Sequence, residues 1–319
     1  MTPAVTSESP TALAHGHRVG VALGRAVGGV LAGRHDQIEV AVACVLAGGH
    51  LLVEDVPGVG KTLLAQSLAA ASGGAFRRVQ GTADLLPGDV TGTLAPDGDG
   101  FGLRFRPGPV FAHVVLFDEL NRANARTQSA LLEVMEEGTV TVDGVAHRVP
   151  EPFFVVATQN PVQMAGTYPL AEGVTDRFMA AVSLGRAGAE EELEVLAGRR
   201  GRTRLDSLAA VVDPAAMLAA RSAVRTVHLD DTVARYAVDV LRATRSHPRV
   251  RLGASTRAGV ATVAMARAFA TLDGRDYVAP HDIARASRAT LAHRIVTAAG
   301  EAAAEVVDEC LAGVPAPRR

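Results

Sequence analysis

Apolar residues in the first 185 positions fall into short runs separated by longer segments of helical spacing. Helical spacing covers 13–33, 36–47 and 61–71. Strands that are buried on both faces read as nearly continuous apolar runs, whereas helices need longer periodic segments. The alternation therefore predicts an α/β fold with a parallel five-stranded sheet covered by helices. The predicted strands lie at residues 50–54, 75–80, 113–117, 153–158 and 179–184.

The pattern changes after about residue 186, where helical spacing continues and convincing strands are missing. A chain of 319 residues is long enough for two domains. We therefore expect a flexible N-terminal tail over 1–15, an α/β core over 16–185 and an all-helical domain over 186–319. The helices of that domain are predicted at 190–199, 214–227, 230–245, 255–272, 280–293 and 301–312.

Composition and charge narrow the classes of protein. The net charge is −2, from 32 basic and 34 acidic residues, so no global charge draws the chain to nucleic acid or an anionic membrane. Cys44 and Cys310 lie far apart in apolar helical patterns and read as unreactive core thiols. The longest apolar stretch, 38–53, is too short and interrupted to span a bilayer. We expect a cytoplasmic protein without a secretory signal or membrane insertion.

A phosphate-binding loop is the strongest chemical motif. Residues 54–62 join a predicted strand to a predicted helix and carry Gly58, Gly60, Lys61 and Thr62. Backbone N–H groups of such a loop form an anion cradle, to which the positive end of the following helix adds. Lys61 would contact the β- and γ-phosphates of ATP, and Thr62 would bind Mg²⁺. Asp55 departs from the usual pattern, which has glycine six residues before the lysine.

Two carboxylates follow the apolar run at 113–117. Alone, Asp118 and Glu119 could simply be solvated residues at the end of a strand. Beside a phosphate loop, Asp118 is expected to hold Mg²⁺ through water, and Glu119 to activate the attacking water.

Two later positions could complete the site. Asn160 follows another apolar run and can orient that water or sense the γ-phosphate, or it can be a turn residue before Pro161. Arg177 precedes the last strand and could enter the nucleotide site of a neighbouring subunit. Alternatively it forms a salt bridge with Asp176 or Glu172.

Taken together, these motifs resemble those of the MoxR family of AAA+ ATPases, from about Val30 to the C-terminus. The segments that carry the resemblance are VEDVPGVGKT (53–62), DLLPGDVTG (84–92), FRPGPVF (105–111), DELNRA (118–123), TQSALLEVMEE (127–137), ATQNP (157–161) and GASTR (253–257).

The resemblance implies an AAA+ core of the clade with a β-hairpin insertion in helix 2, followed by a helical lid domain. The insertion would be 90–106, and a second hairpin would be 138–150. Asn160 would be the first sensor, Arg177 the arginine finger, and Arg257 the second sensor, which touches the γ-phosphate. The implied nucleotide-binding residues are Val30 and Gly33 near the adenine, with Pro57, Gly58, Val59, Gly60, Lys61, Thr62 and Leu63.

The family further implies a ring, expected to be a hexamer, that uses ATP to remodel a client, usually with a von Willebrand factor A domain protein. Three alternatives stay open: a nucleic-acid motor of the related helicase clade, the ATPase subunit of a metal chelatase, and a scaffold that binds ATP without turnover. Only His147 and Arg148 are potential positive groups in the second hairpin, which argues against the motor. Glu119, Asn160 and Arg177 argue against the scaffold.

Overall fold

The structure is a computed structural model that describes residues 10–97, 102–160, 170–298 and 301–317. In chain order its strands are β1 (Leu51–Glu54), β2 (Phe76–Gln80), β3 (Gly92–Pro96), β4 (Leu103–Pro107), β5 (Val114–Asp118), β6 (Thr139–Val142), β7 (Val145–Arg148), β8 (Phe154–Gln159), β9 (Ala180–Val182), β10 (Val250–Leu252) and β11 (Val296–Thr297).

The α-helices are α1 (Pro10–Val30), α2 (His35–Leu46), α3 (Lys61–Ala71), α4 (Pro87–Thr91), α5 (Ala125–Glu137), α6 (Glu172–Thr175), α7 (Ala189–Leu196), α8 (Arg202–Asp206), α9 (Pro214–Thr226), α10 (Asp231–Ser246), α11 (Thr256–Leu272), α12 (Pro280–Leu291) and α13 (Ala303–Gly313). Two 3₁₀ helices span Leu120–Arg122 and Ala292–Arg294.

The five predicted apolar runs form one parallel sheet in the order β2-β5-β8-β1-β9, which confirms the predicted fold class. All residues of β5 are buried, as are the first five of β8, because helices cover both faces of the sheet. The carboxyl ends of β1, β5 and β8 meet at one edge. Residues that follow these strands are therefore brought together there.

Both expected hairpins are present. β3 pairs antiparallel with β4, and β6 with β7. Phe105 of the first hairpin stacks on His147 of the second, with ring centroids 4.0 Å apart. The two hairpins therefore contact each other through an aromatic pair. Residues 98–101, between β3 and β4 in the sequence, lie outside the described residues.

The domain after residue 186 is helical, and several of its helices begin at side-chain caps that the sequence supplies. The side chains of Asp213, Asp230 and Ser255 accept hydrogen bonds from backbone N–H groups in the first turns of α9, α10 and α11. The domain also contains an antiparallel pair of short strands, β10 and β11, which corrects the expectation of helices alone. Strands of three and two residues are too short for apolar periodicity to reveal.

The N-terminal helix also corrects an expectation. α1 begins at Pro10, so residues 10–15 are helical and do not belong to a flexible tail, while residues 1–9 lie outside the described residues. Proline is tolerated in the first turn of a helix, where its missing N–H would be unpaired anyway. At Gly20 a Cβ atom would lie 2.3 Å from Leu272 of α11, so glycine permits close packing of α1 on the helical domain.

A buried histidine precedes β1 and links the sheet to α5. His50 Nδ1 accepts a hydrogen bond from the N–H of Val155 (3.0 Å), and Nε2 lies 3.1 Å from the carbonyl oxygen of Met135. Because Nδ1 accepts, the ring is neutral with its proton on Nε2, from which it donates to Met135. Burial lowers the pKa of His50 from 6.5 to about 4. A second histidine, the half-buried His293, also has its pKa lowered by burial, to about 3.

The first prediction concerns acid stability. The folded protein keeps His50 neutral, whereas the unfolded chain protonates it below its ordinary pKa of 6.5. The unfolded state therefore binds more protons between pH 6.5 and 4, and the free energy of unfolding falls as pH falls through that window. His50→Gln should reduce this slope by up to about 1.4 kcal/mol per pH unit, the limit for one proton. Urea unfolding at pH 7.0, 6.0 and 5.0 measures the slopes.

His293 contributes to the pH dependence of unfolding in both the wild type and His50→Gln, so its contribution cancels when the two slopes are compared. His35→Gln changes an exposed histidine side chain at the start of α2 and serves as the matched control. Equal slopes for the wild type and His50→Gln would contradict a neutral buried His50.

Candidate nucleotide site

The predicted phosphate loop lies between β1 and α3, at the carboxyl edge of the sheet. Gly58 has φ +88° and Gly60 has φ +105°, conformations that suit glycine, and α3 begins at Lys61. A Cβ at Gly58 would meet no atom within 4 Å, so the loop leaves open space above its backbone. This geometry has the form of an anion cradle at a helix N-terminus.

Lys61 lies buried at the end of this loop. Its ammonium donates hydrogen bonds to the carbonyl oxygen of Asp55 (2.6 Å) and to Oδ1 of Asn160 (2.8 Å). Burial lowers the pKa of Lys61, while the carboxylates of Asp118, Asp55 and Glu119 oppose that shift. The sheet order therefore brings together Lys61, Asp118, Glu119 and Asn160, which were predicted to lie around the phosphates.

The two acidic residues at the end of β5 are oriented by a threonine of β8. The hydroxyl of Thr158 donates to Oδ1 of Asp118 (2.6 Å) and accepts from the N–H of Glu119 (2.8 Å). Glu119 has φ +55°, an uncommon left-handed conformation for a residue with a side chain. Thr158 thus fixes both the Asp118 side chain and the turn that directs Glu119.

The Glu119 carboxylate has hydrogen-bond donors at both oxygens. Asn160 Nδ2 donates to Oε1 (2.8 Å), while Gln80 and Arg122 donate to Oε2, each at 2.9 Å. Asn160 therefore joins Lys61 to Glu119 through the two ends of its amide. On the other carboxylate, Arg78 donates to Oδ2 of Asp118 at 2.6 Å.

Sequence reasoning missed the supporting roles of four residues: Thr158, Gln80, Arg78 and Arg122. Thr158 stands two positions before Asn160. Side chains two positions apart on a strand lie on the same face, so the spacing could have placed Thr158 beside the site. Gln80 and Arg78 lie at the end of β2, and only the pairing of β2 with β5 places them beside the carboxylates.

Two adjoining cavities give the site an elongated shape. The first, the base cavity, has a volume of about 610 Å³ and a mostly apolar wall, and the second, the phosphate cavity, has a volume of about 420 Å³ and contains Lys61, Asp118 and Glu119. Gly33, predicted near the adenine, lies between Ala32 and Arg34 of the first cavity's wall. Lining residues of the first cavity include Val30, Leu31, Pro57, Val59 and Leu63, and those of the second include Lys61, Thr62, Asp118, Glu119 and Asn160.

Asp55, which departs from the glycine pattern, anchors the start of the loop. Its carboxylate accepts hydrogen bonds from the N–H of Val56 (2.9 Å), the hydroxyl of Ser183 (3.0 Å) and the N–H of Gly185 (2.7 Å). Arg34, itself buried, donates to the carbonyl oxygens of Gly185 and Arg186, each at 2.8 Å. The loop is thereby tied to the segment that leads into the helical domain.

The two predicted arginines lie elsewhere, near the amino ends of β1 and β9. Arg257 donates to Oε1 of Glu136 (2.7 Å), and Nε of Arg177 lies 3.2 Å from the same oxygen. Asp176 is a second partner of Arg257, at 3.8 Å. This corrects the expectation that Arg257 reaches the phosphates of its own chain, because the phosphate loop follows the opposite end of β1.

The partner of Arg177 also differs from both alternatives raised from the sequence. Its salt bridge goes to Glu136 of α5 and not to Asp176, while the side chain of Glu172 lies outside the described residues. Arg177 also donates to the carbonyl oxygen of Gly173 at 2.6 Å. Docking of the helical domain on the core brings Arg257 beside Arg177.

Two family models match the chain: the ATPase family associated with various cellular activities, over residues 50–180, and the AAA lid domain, over 242–310. An uncharacterized protein of Bacillus subtilis, YeaC, is 44% identical over 84% of this chain and 83% of its own. Chaperone MoxR1 of Mycobacterium tuberculosis is 36% identical over 88% of this chain and 76% of its own. Protein MoxR of Paracoccus denitrificans is 30% identical over 92% of this chain and 94% of its own length.

Solved structures agree with the fold. A candidate ATPase from Cytophaga hutchinsonii superposes with a TM-score of 0.88 and 32% identity, covering 97% of this chain and 98% of that one. An MCM homolog from Methanopyrus kandleri shares the fold at a TM-score of 0.57 with 18% identity, covering 98% of this chain and 63% of its own. Among the described residues, no helix is long and apolar enough to cross a membrane.

The second prediction tests Thr158. Thr158→Val keeps the shape of the side chain but removes the hydroxyl that orients Asp118 and Glu119. Loss of a buried hydrogen bond worth about 1 to 3 kcal/mol should lower kcat for ATP hydrolysis by about 5- to 150-fold, with KM for ATP little changed. Steady-state phosphate release measures both constants.

Thr158→Ser retains a hydroxyl and is the matched control, which should recover most of the lost rate. Circular dichroism of both variants verifies that the sheet is intact. Wild-type kcat in Thr158→Val would show that this hydroxyl does not position the carboxylates.

Proposed function

The chain belongs to the MoxR family of AAA+ ATPases and is an ATP hydrolase; from this premise we propose that it forms a ring which remodels a client protein. The main support is that hydrogen bonds of Asn160 connect Lys61 to Glu119 at the carboxyl edge of the sheet. AAA+ proteins generally assemble into rings, and MoxR chaperones work with clients. A hexamer and a von Willebrand factor A domain partner are the finer parts of the proposal.

The donor set fits Mg-ATP. The glycine cradle and Lys61 suit phosphate oxygens, and the Thr62 hydroxyl with the Asp118 carboxylate supplies the hard oxygen ligands that Mg²⁺ prefers. Thr62 and Asp118 would hold the ion, which when bound would neutralise part of the negative charge of the phosphates. The base cavity, with Val30 and Leu63, is apolar enough for adenine.

Glu119 is the proposed general base. Its carboxylate takes a proton from the attacking water, while Asn160 and Gln80 orient the carboxylate through their amide N–H groups. Lys61 lies at the opposite end of the Asn160 amide and binds phosphate charge. The amide therefore holds the base and the phosphate-binding cation in a fixed relation.

Arg177 and Arg257 are proposed to act on the nucleotide of a neighbouring subunit. Both share Glu136 at the sheet edge opposite their own phosphate loop, and their side chains are 29% and 52% exposed. Ring closure would exchange the Glu136 carboxylate for phosphate oxygens of the neighbour. Arginine fingers of this kind contribute roughly 10³ to 10⁵ in rate.

Protein remodelling is favoured over a nucleic-acid motor. The hairpins carry exposed apolar side chains, Leu103 at 64% and Val145 at 56% exposure, which suit contact with protein. Phosphate backbones are bound by clusters of lysine and arginine, and the near-neutral chain has no excess of them. The chaperone name of a relative supports the same choice. A chelatase subunit or a non-hydrolysing scaffold has no comparable observation in its favour.

The third prediction tests the shared site. Glu119→Gln should bind ATP without turnover, and Arg177→Ala should have little activity because it cannot complete its neighbour's site. Mixed in equal amounts, the two variants should regain hydrolysis, since roughly a quarter of interfaces in a random ring join an intact Glu119 to an intact Arg177. A coupled phosphate assay of each protein and of the mixture measures the recovery.

The double variant Glu119→Gln with Arg177→Ala, mixed with Arg177→Ala, is the control and should regain nothing. Replacing Arg177→Ala by Arg257→Ala tests the second arginine in the same way. A mixture whose activity is only the average of its components would contradict a site shared between subunits.

The fourth prediction concerns the client. Glu119→Gln held in ATP should retain its partner, and mass spectrometry should identify a protein with a von Willebrand factor A domain. The matched control adds Lys61→Ala, which should lose ATP and the partner together. Hydrolysis by the wild type that rises with DNA, and no such protein captured, would favour the helicase-clade alternative.

A further inference from the structure

One arginine of the helical domain reaches the phosphate cavity of its own chain. Arg202, the first residue of α8, lines this cavity together with Lys61, Thr62, Asp118 and Glu119. Among the described residues that line it, Arg202 alone comes from beyond residue 185. The expected cation from this domain, Arg257, lies instead with Glu136.

Arg202 is placed by packing of α8 against α3. Its guanidinium donates to Oε1 of Gln66 at 3.3 Å. Gln66 follows Thr62 by four residues on α3, so the two side chains lie one turn apart on the same helix face. The guanidinium therefore lies one helical turn from the proposed Mg²⁺ ligand.

The chain just before Arg202 is fixed to the end of α1. Arg200 donates to the carbonyl oxygens of Gly28 (3.0 Å) and Gly29 (2.8 Å), and the N–H of Gly201 donates to the carbonyl oxygen of Val30 (3.1 Å). Val30 also belongs to the base cavity. The backbone leading to Arg202 is thus connected to the wall of the same nucleotide site.

We propose that Arg202 binds the β- or γ-phosphate of the nucleotide held by the same chain, taking the place expected of Arg257. The inference rests on the proposed nucleotide site and adds a residue to it. Arg78 already neutralises Asp118. Among the described residues that line the cavity, Lys61 and Arg202 are then the two cations positioned to offset triphosphate charge.

The present partners of Arg202 are weak enough to be exchanged. Its salt bridge to Asp206 is 3.1 Å long, with side chains 70% and 63% exposed. Exposed pairs of this kind are worth about 0 to 1 kcal/mol. A guanidinium can instead bind phosphate through two parallel charge-assisted hydrogen bonds, which are roughly twice as strong as neutral ones.

The fifth prediction tests this contact by nucleotide affinity. Calorimetric titration with ATP, ADP and AMP uses the Glu119→Gln background to prevent turnover. Adding Arg202→Ala should weaken ATP binding by about 10- to 100-fold, because a charge-assisted contact is lost. AMP should be affected least, since it lacks the β- and γ-phosphates, and Arg202→Lys should recover part of the loss.

Two controls separate phosphate binding from support of α8. Arg204→Ala removes another exposed arginine of α8, which faces a groove against α1, and should leave ATP affinity unchanged. Asp206→Asn removes the salt-bridge partner of Arg202 and should leave ATP affinity unchanged or slightly increased. If Arg202 only stabilised α8 through Asp206, this variant would weaken ATP binding as Arg202→Ala does.

Unchanged ATP affinity in Arg202→Ala would overturn the contact while leaving the nucleotide site intact. An equal loss for AMP and ATP would overturn it as well, because the effect would then lie outside the β- and γ-phosphates. Failure of the Glu119→Gln parent to bind ATP at all would instead contradict the proposed function itself.

Discussion

The ammonium of Lys61 and its hydrogen bond to Asn160 hold the site together. A buried cation needs acceptors, and Lys61 has the carbonyl oxygen of Asp55 on one side and the Asn160 amide on the other. Asn160 can serve only because β8 lies beside β1 in the sheet. Glu119 joins the same network because β5 lies on the other side of β8. Strand order therefore decides which three residues form this chain of contacts.

The network also explains why Thr158, although fully buried, is a polar residue. Thr158 has its hydroxyl fully used between Asp118 and Glu119, and an apolar residue there would leave the turn at Glu119 without its acceptor. The left-handed backbone of Glu119 costs about 1 to 2 kcal/mol and needs such compensation. The position of the base is thus set by the strand beside it as much as by its own strand.

Much of this could be predicted from the sequence, because helices, strands and the phosphate loop depend on local spacing. The core sheet and α3 follow from it, whereas the two hairpins were implied by the resemblance to the MoxR family. The partners of Arg177 and Arg257 could not be predicted, since Glu136 meets them only after the helical domain docks on the core. Short elements such as α8 also lack a periodic signal, so the approach of Arg202 to the phosphates depends on tertiary packing.

Asp55 shows how a departure from a motif can carry its own physical reason. Its φ is not among the positive values of the described residues, so the backbone accepts a Cβ where other loops have glycine. The carboxylate then binds Ser183 and Gly185, and Gly185 is bound in turn by Arg34. These contacts make the start of the loop and residues 183–186 one connected unit. Movement of the helical domain relative to the phosphates must therefore either break these charge-assisted bonds or begin beyond residue 186.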